Sequence, residues 1–519
     1  MKQRSLVLVT VDCLRADHVG FLGYSRLVTP NLDALAENSA VFSDAIVAGA
    51  PTYFSFPAIL ASRYPLALGR DVLGIAPHEP TLATALQNAG YATAAFLAGN
   101  PYLSPRFGYD QGFDSFNDFL GADAGVEQAP EQFAPRTSFS KLNRWIEALS
   151  RRNHLSASAY DELYFRYCQW QSARENIPMD MLRRYPAANV MVDQAQSWLS
   201  SVGDRPFFLW LHLMDPHHPY YPPEESLEAL GLPQITARRA RYINSFWNRG
   251  DIGPERLKRH RDEVISLYDA GVHWVDKQLS RLVDALKNSG RWDETVFAVT
   301  ADHGEAFLEH SDRYHSPTSL PESLVRVPLL LHGPGLSRRR LLQGPFSLIQ
   351  LAPTLLHAVN VSRPDSFQGR SAWDQVSAGT LQNEIAITEC VDGCCNPIQP
   401  AERMRPRLMA VRDGEFKLVI NFREGQDYFY DLKNDPGENS PLPPENRTRE
   451  RALLYRAARE HIQRSDLQRA VLQRSADGWK IDLRWRALLH EVRQSMKVTG
   501  ADASSAQLGE NAAGIHPRL

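Results

Sequence analysis

"SLVLVTVDCLRAD", Ser5 to Asp17, is the stretch whose reading decides the fold. Its first seven residues are apolar or β-branched at both odd and even positions. A strand with one face in water would alternate polar and apolar residues; this one is patterned for burial on both sides, as in a parallel sheet covered by helices. The run then stops at an acid, Asp12.

Working outward, "TPNLDALAEN" from Thr29 places a capping Thr before Pro at the first helical position, followed by apolar residues at helical spacing. "AVFSDAIV" (40–47), "YATAAFL" (91–97), "PFFLWLHL" (206–213), "TVFAVT" (295–300) and "VRVPLLLHGPG" (325–335) read as further strands. Helical patterns lie between them: "TLATALQNAG" (81–90), "EVISLYDAGVHWVDKQLSRLVDALKNSG" (263–290) and "LIQLAPTLLHAV" (348–359). This alternation predicts an α/β fold, a large mixed, mostly parallel sheet flanked by helices. Residues 125–200 are helical and charged, and read as an insertion over one face. After residue 380 short strands follow one another without helices ("EIAIT", "RLMAVRD", "FKLVINF", "YFYDL"), which predicts a smaller α+β subdomain with an antiparallel sheet over 381–498. Within it "RTRERALLYRAAREHIQR" reads as a charged helix with a solvated face. The tail 499–519 lacks large apolar residues and is expected to be disordered.

Composition excludes some functions. With Lys+Arg 57 against Asp+Glu 60, the chain has no cationic excess for nucleic acid or a polybasic membrane contact. The apolar run at 6–11 is too short for a signal segment, and no later run reaches the length of a membrane span. The reading is a cytoplasmic protein. The five cysteines (Cys13, Cys168, Cys390, Cys394, Cys395) are an odd number, which suggests free thiols. "CVDGCC" at 390–395 matches no zinc spacing and has no histidine close by; a loop with reduced thiols is the expectation.

In open α/β sheets ligands sit beyond the carboxyl ends of the strands. Asp12 follows the first strand; Asp302, His303, Gly304 and Glu305 follow "TVFAVTA". Thr52 precedes a helix expected to start near Ser55 in "VAGAPTYFSFPAILASRYP" (47–65). Singly, each has a plain reading: Asp12 and Asp302-His303-Gly304 as turns, Thr52 as a cap. Jointly they form an oxygen and nitrogen donor set. Two carboxylates brought together repel unless one takes a proton or a divalent cation sits between them. A bound cation also lowers the pKa of a coordinated oxygen, to about 7 for water in well-known zinc sites. Thr52 then becomes a candidate nucleophile, with Ser55 as the fallback, and the N–H groups of the following helix face an anionic substrate. One imidazole tilts the donor set toward Zn or Mn; Ca and Mg stay open.

Five segments, in order, resemble sulfatase-like proteins of the alkaline phosphatase superfamily over about residues 5–440: "VTVDCLRADHVGFLGY…TPNLDALA", "SRYP" (62–65) where the family has Gly-Arg-x-Pro, "HLMDPHHPYYPP" (212–223), "TADHGE" with His315 and "ESLVRVPLLLHGPG", and "YFYDLKNDPGE" (428–438). The resemblance makes 1–380 the catalytic domain. It implies Asp12, Thr52, Asp302 and His303 as metal ligands and Thr52 as the nucleophile. His217 matches the histidine of Pro-His-x-Pro, which protonates a leaving group or binds ester oxygens. His315 matches a basic position beside the transferred group. His218 and His310 are weaker matches, read as surface or outer residues.

The sequence departs from true sulfatases where formylglycine is made. Their Cys/Ser-x-Pro-x-Arg is replaced by Thr52-Tyr53-Phe54-Ser55-Phe56, so no formylglycine is expected. The second acid of their opening pair is Cys13, and their Lys-x-His clamp is absent, leaving Asn100 as the nearest polar substitute for substrate binding. A single acid, a Thr and an Asp-His pair are similar to the pattern of phosphoethanolamine transferases and lipoteichoic acid synthases; phosphonate monoester hydrolases share the single acid but use formylglycine. A Thr ester must be displaced by water or an acceptor, which suits phosphorus. The leading expectation is a metal-dependent hydrolase or phosphotransferase acting on a small-molecule or headgroup phosphate ester. The alternatives are a sulfate-ester hydrolase working without formylglycine, and a non-catalytic binding protein on a decayed site. Tyr220 and Tyr221 stack on substrate or brace their loop; bracing is the plainer expectation.

Overall fold

The computed structural model describes residues 3–65, 74–120, 146–172, 174, 176–315, 319–391, 406–422 and 424–465. Residues 125–145 of the segment expected as an insertion, residues 392–405 and 466–498 of the expected subdomain (with Cys394 and Cys395), and the tail 499–519 lie outside these residues.

In chain order the strands are β1 (Ser5–Val11), β2 (Ala40–Ile46), β3 (Ala92–Leu97), β4 (Ser115–Asn117), β5 (Phe207–Leu213), β6 (Thr295–Ala301), β7 (Ala306–Phe307), β8 (Arg313–Tyr314), β9 (Arg326–His332), β10 (Arg340–Ser347), β11 (Ala386–Val391), β12 (Pro406–Arg412), β13 (Phe416–Asn421) and β14 (Gln426–Asp431). Eight form the main sheet in the order β10-β2-β9-β6-β1-β5-β3-β4. β1 lies in the middle, parallel to β5 and β6, and all seven of its residues are buried. Within the sheet, β9 is antiparallel to β2 and β6, and the remaining pairs are parallel. The large, mixed and mostly parallel sheet expected from the sequence is therefore present. β10 is an addition to that expectation. Its Gly344 and Pro345 break the strand pattern, and the register shifts between Leu342 and Pro345. An edge strand tolerates this because one side makes no ladder bonds.

Two sets of helices cover the sheet. The 28-residue Arg261–Asn288 helix packs with the Pro30–Ala36 and Ala188–Ser201 helices; the Thr52–Ala61, Leu82–Asn88 and Leu351–Ala358 helices pack on one another. The long helix buries Val264, Leu267, Val275, Leu279, Leu282 and Leu286 at helical spacing and opens with Asp262 and Glu263, which suit its N-terminal dipole. Its buried Asp276 accepts from Asn31 N–H at 3.1 Å and Leu32 N–H at 2.8 Å, capping the Pro30–Ala36 helix from outside.

β11 to β14 form the second, antiparallel sheet. Lys417, wholly buried on β13, ties it to the first part of the chain through Glu322 at 3.0 Å and the Leu320 carbonyl at 2.7 Å, and pairs with Glu438 of its own part at 2.8 Å. The charged stretch near 450 is a helix over 448–465, but one face is not solvated. Leu454, Ala458, His461 and Ser465 are buried, a stripe at three- and four-residue spacing that the surrounding charges obscure. His461 meets Glu389 of β11, whose backbone bridges Gly49 in the segment leading to Thr52. No helix among the described residues is long and apolar enough to cross a membrane.

Candidate active site

Because seven of the eight strands run the same way, β1, β2, β3, β5 and β6 deliver their carboxyl ends to one edge. Asp12 follows β1, Thr52 lies beyond β2, Asn100 beyond β3, His217 beyond β5, and Asp302 and His303 follow β6. Thr52 is the first residue of its helix, not a residue before it, and is 5 % exposed.

Thr52 Oγ1 is 3.0 Å from His303 Nε2. His303 Nε2 is in turn 3.5 Å from Asp302 Oδ2 and 3.8 Å from Asp12 Oδ1. The other ring nitrogen, Nδ1, lies 2.9 Å from the Gly304 carbonyl, which can only accept. The proton therefore sits on Nδ1, and Nε2 presents its lone pair to Thr52 and the two acids. Gly304 has no room for a side chain, since a Cβ there would run into the Ser323 carbonyl oxygen. Ser55 Oγ donates to the Asp302 carbonyl at 2.6 Å, so the fallback nucleophile holds the backbone of a ligand candidate instead.

The two acids are driven apart. Asp12 is wholly buried, which opposes ionisation, but His217, a His212 hydrogen bond and His303 hold it well below the usual carboxylate range. Burial, and then the Asp12 charge, push Asp302 up. Asp302 Oδ2 is buried with no hydrogen-bond partner, as are both carboxylate oxygens of Glu305. Orphaned, fully buried carboxylate oxygens beside a histidine lone pair and a hydroxyl fit a divalent cation, and members of the family identified below typically bind one. Asp12, Thr52, Asp302 and His303 are the residues that would hold it.

Asn100 donates from Nδ2 to Asp12 Oδ2 at 3.1 Å, and its own Oδ1 accepts from Tyr102 N–H. It orients Asp12. His217 and His315 pair across the site with ring centroids 5.1 Å apart, and His315 lies 4.6 Å from the His303 ring. Burial lowers the His217 pKa; burial also opposes protonation of His315, but the Glu305 carboxylate outweighs it and raises that pKa. Of the two, His315 is the one poised to carry a proton. His218 packs on Tyr314 and Tyr220 at 4.4 and 5.6 Å, and His310 is exposed. Tyr220 is buried among Tyr268, Phe307 and His218, so it braces its loop.

Sequence reasoning missed His212. Its Nε2 is 3.3 Å from Asp12 Oδ2 and its Nδ1 is 3.0 Å from Thr10 Oγ1. The signal was one polar residue near the carboxyl end of an apolar buried strand, "FFLWLHL". From the sequence Cys13 reads as a free thiol and a replaced acid, with no part in the site. Its Sγ donates to Asp12 Oδ1 at 3.0 Å, inside the same site.

A sulfatase family model matches residues 4–361, and the chain belongs to the sulfatase family, a family of hydrolases. An arylsulfatase of Clostridium perfringens is 23% identical over 472 residues, covering 84% of this chain and 90% of that protein. Two solved structures share the fold. BT4656 in complex with D-glucosamine-2-N,6-O-disulfate gives a TM-score of 0.63 at 17% identity, covering 90% of this chain and 98% of its own. The phosphonate monoester hydrolase of Agrobacterium radiobacter gives 0.60 at 18% identity, covering 90% and 96%. Solved structures of this fold thus include one bound to a disulfated sugar as its substrate and a phosphonate monoester hydrolase.

Proposed function

We propose that the chain is a metal-dependent hydrolase or phosphotransferase of a phosphate mono- or diester, with Thr52 as nucleophile. The observation that carries the reading is the Thr52 hydroxyl at 3.0 Å from the His303 lone pair, at the start of a helix and beside the partnerless Asp302 Oδ2. A divalent cation held by Asp12, Thr52, Asp302 and His303 would offset the charge of the ester and lower the pKa of the threonine hydroxyl. Once its proton has gone to solvent, Thr52 Oγ1 bonds to phosphorus as the bond from phosphorus to the alcohol oxygen breaks. That oxygen takes a proton from His315 or His217. Water or an acceptor alcohol then cleaves the threonine ester. Asn100 and His212 hold Asp12 throughout.

Threonine cannot become formylglycine, which supports phosphorus over sulfur at the reacting centre. The arylsulfatase relative supports the second reading, sulfate-ester hydrolysis. Residues 1–380 would form the catalytic domain and 381–498 the subdomain. The free thiols of Cys13 and Cys168 support a reducing compartment such as the cytoplasm. The test uses p-nitrophenyl phosphate, bis(p-nitrophenyl) phosphate and p-nitrophenyl sulfate with Zn, Mn, Mg and Ca. Phosphate-ester turnover that disappears in Thr52→Ala supports the proposal; sulfate turnover alone rejects it. No turnover of any ester by metal-loaded protein would favour a binding role.

A further inference from the structure

A second group of donors lies beside the first and shares Cys13 with it, since Cys13 also groups with Asp12 and His303. Cys13 Sγ, one ring nitrogen of His217 and one of His315 lie within 4.8 Å of one another. Cys13 is 0% exposed. Its sulfur is 3.5 Å from His315 Nδ1, and that same nitrogen is 3.8 Å from Glu305 Oε2. Glu305 is fully buried, and neither of its carboxylate oxygens has a hydrogen-bond partner. His217 Nδ1 lies against the His218 carbonyl and must donate to it, so its Nε2 carries the free lone pair.

We propose that Cys13, His217, His315 and Glu305 form a second divalent-metal subsite, selective for a thiophilic ion such as Zn over Mg or Ca. Zinc bonds of about 2.3 Å to sulfur and about 2.0 Å to nitrogen put tetrahedral S and N ligands about 3.5 Å apart. The observed Cys13 to His315 separation, 3.5 Å, is of that length. A thiolate and a carboxylate together balance one divalent charge, and thiolate with imidazole is a donor set that oxygen-seeking ions avoid. Binding displaces the thiol proton to solvent, and Asp12 Oδ1 loses the hydrogen bond that Cys13 now gives it. The subsite contains His217 and His315, the groups proposed to protonate the leaving oxygen. When filled, it stabilises the departing oxygen by charge, in place of the proton that His217 or His315 supplies when it is empty. In this respect the inference rests on the proposed function; the site itself does not.

The experiment is metal stoichiometry of the full chain, stripped with a chelator and reloaded with Zn, followed by the absorption spectrum of the Co-loaded protein. Wild type is expected to hold two equivalents and to show a thiolate-to-cobalt charge-transfer band. Cys13→Ser and Glu305→Gln should each hold one, and the band should vanish in Cys13→Ser. Thr52→Ala should keep the band. One equivalent in wild type, or a band that survives Cys13→Ser, overturns the subsite. The spectrum of wild type decides the matter if a variant fails to fold. Two equivalents and the band without phosphate-ester turnover would reject the Thr52 reading and leave the subsite standing.

Discussion

Thr52 Oγ1 and His303 Nε2 lie 3.0 Å apart although 251 residues of chain separate them. One comes from the helix that follows β2 and the other from the turn after β6; only the shared carboxyl edge of the sheet joins them.

Thr52→Ala is expected to lower kcat for a phosphate ester by at least about 10³-fold, because nothing replaces a covalent nucleophile. Thr52→Ser should retain measurable turnover. Both variants should unfold within a few degrees of wild type, since the hydroxyl is a small part of a helix buried along its whole length. Equal activity of Thr52→Ala and wild type in a steady-state assay would remove Thr52 from the chemistry.

Thr10 is expected to act on metal affinity without touching the metal. Trp210 Nε1 can only donate, and it gives its proton to Thr10 Oγ1 at 3.0 Å. The Thr10 hydroxyl donates to the Leu211 carbonyl at 3.2 Å and lies 3.0 Å from His212 Nδ1, so it fixes the imidazole whose Nε2 is 3.3 Å from Asp12 Oδ2. Thr10→Val keeps the shape and breaks this relay. Metal affinity, read by chelator competition, should fall by about 10–100-fold. Unchanged affinity would show that the relay has no hold on Asp12.

Lys417→Met should destabilise the fold by roughly 3–5 kcal/mol, the usual cost of stripping one partner from a buried ionic group. The wholly buried ammonium compensates Glu322 and Glu438, and methionine supplies shape without charge. Denaturant unfolding measures this. A loss below about 1 kcal/mol would mean that Arg412, 2.9 Å from Glu322, suffices alone.

Glu162 gives a pH signature. Hydrogen bonds from Arg249 first, then Arg256, lower its pKa to about 2. A carboxylate depressed in the folded state stabilises it above the unfolded pKa of about 4.3. That contribution fades as pH falls from there through about 2. The side chain is 30% exposed, so screening by water reduces the contribution to about 1 kcal/mol. Glu162→Gln should therefore be less stable than wild type at pH 7, with the gap closing as the pH nears 2. A gap that persists at low pH would assign the loss to packing.

What the sequence determined was periodicity and punctuation. Two-sided apolar runs such as 5–11 read as covered strands, and an acid directly after 5–11 and 295–301 marked the edge of the candidate site. Asp12, Thr52, Asp302 and His303 could be named on that ground because local residue types already carried the signal. Tertiary structure decided the rest. Asn100 and His212 are single polar residues whose role exists only because β5 lies beside β1 and β3 beside β5. β10 and the buried stripe of the 448–465 helix were hidden because edge position and helix docking are set by neighbours far along the chain. Cys13 and Glu305 look like ordinary loop residues until folding removes water from both and leaves the Glu305 oxygens without a hydrogen-bond partner. Desolvation is a property of the assembled core, and no local stretch of sequence encodes it.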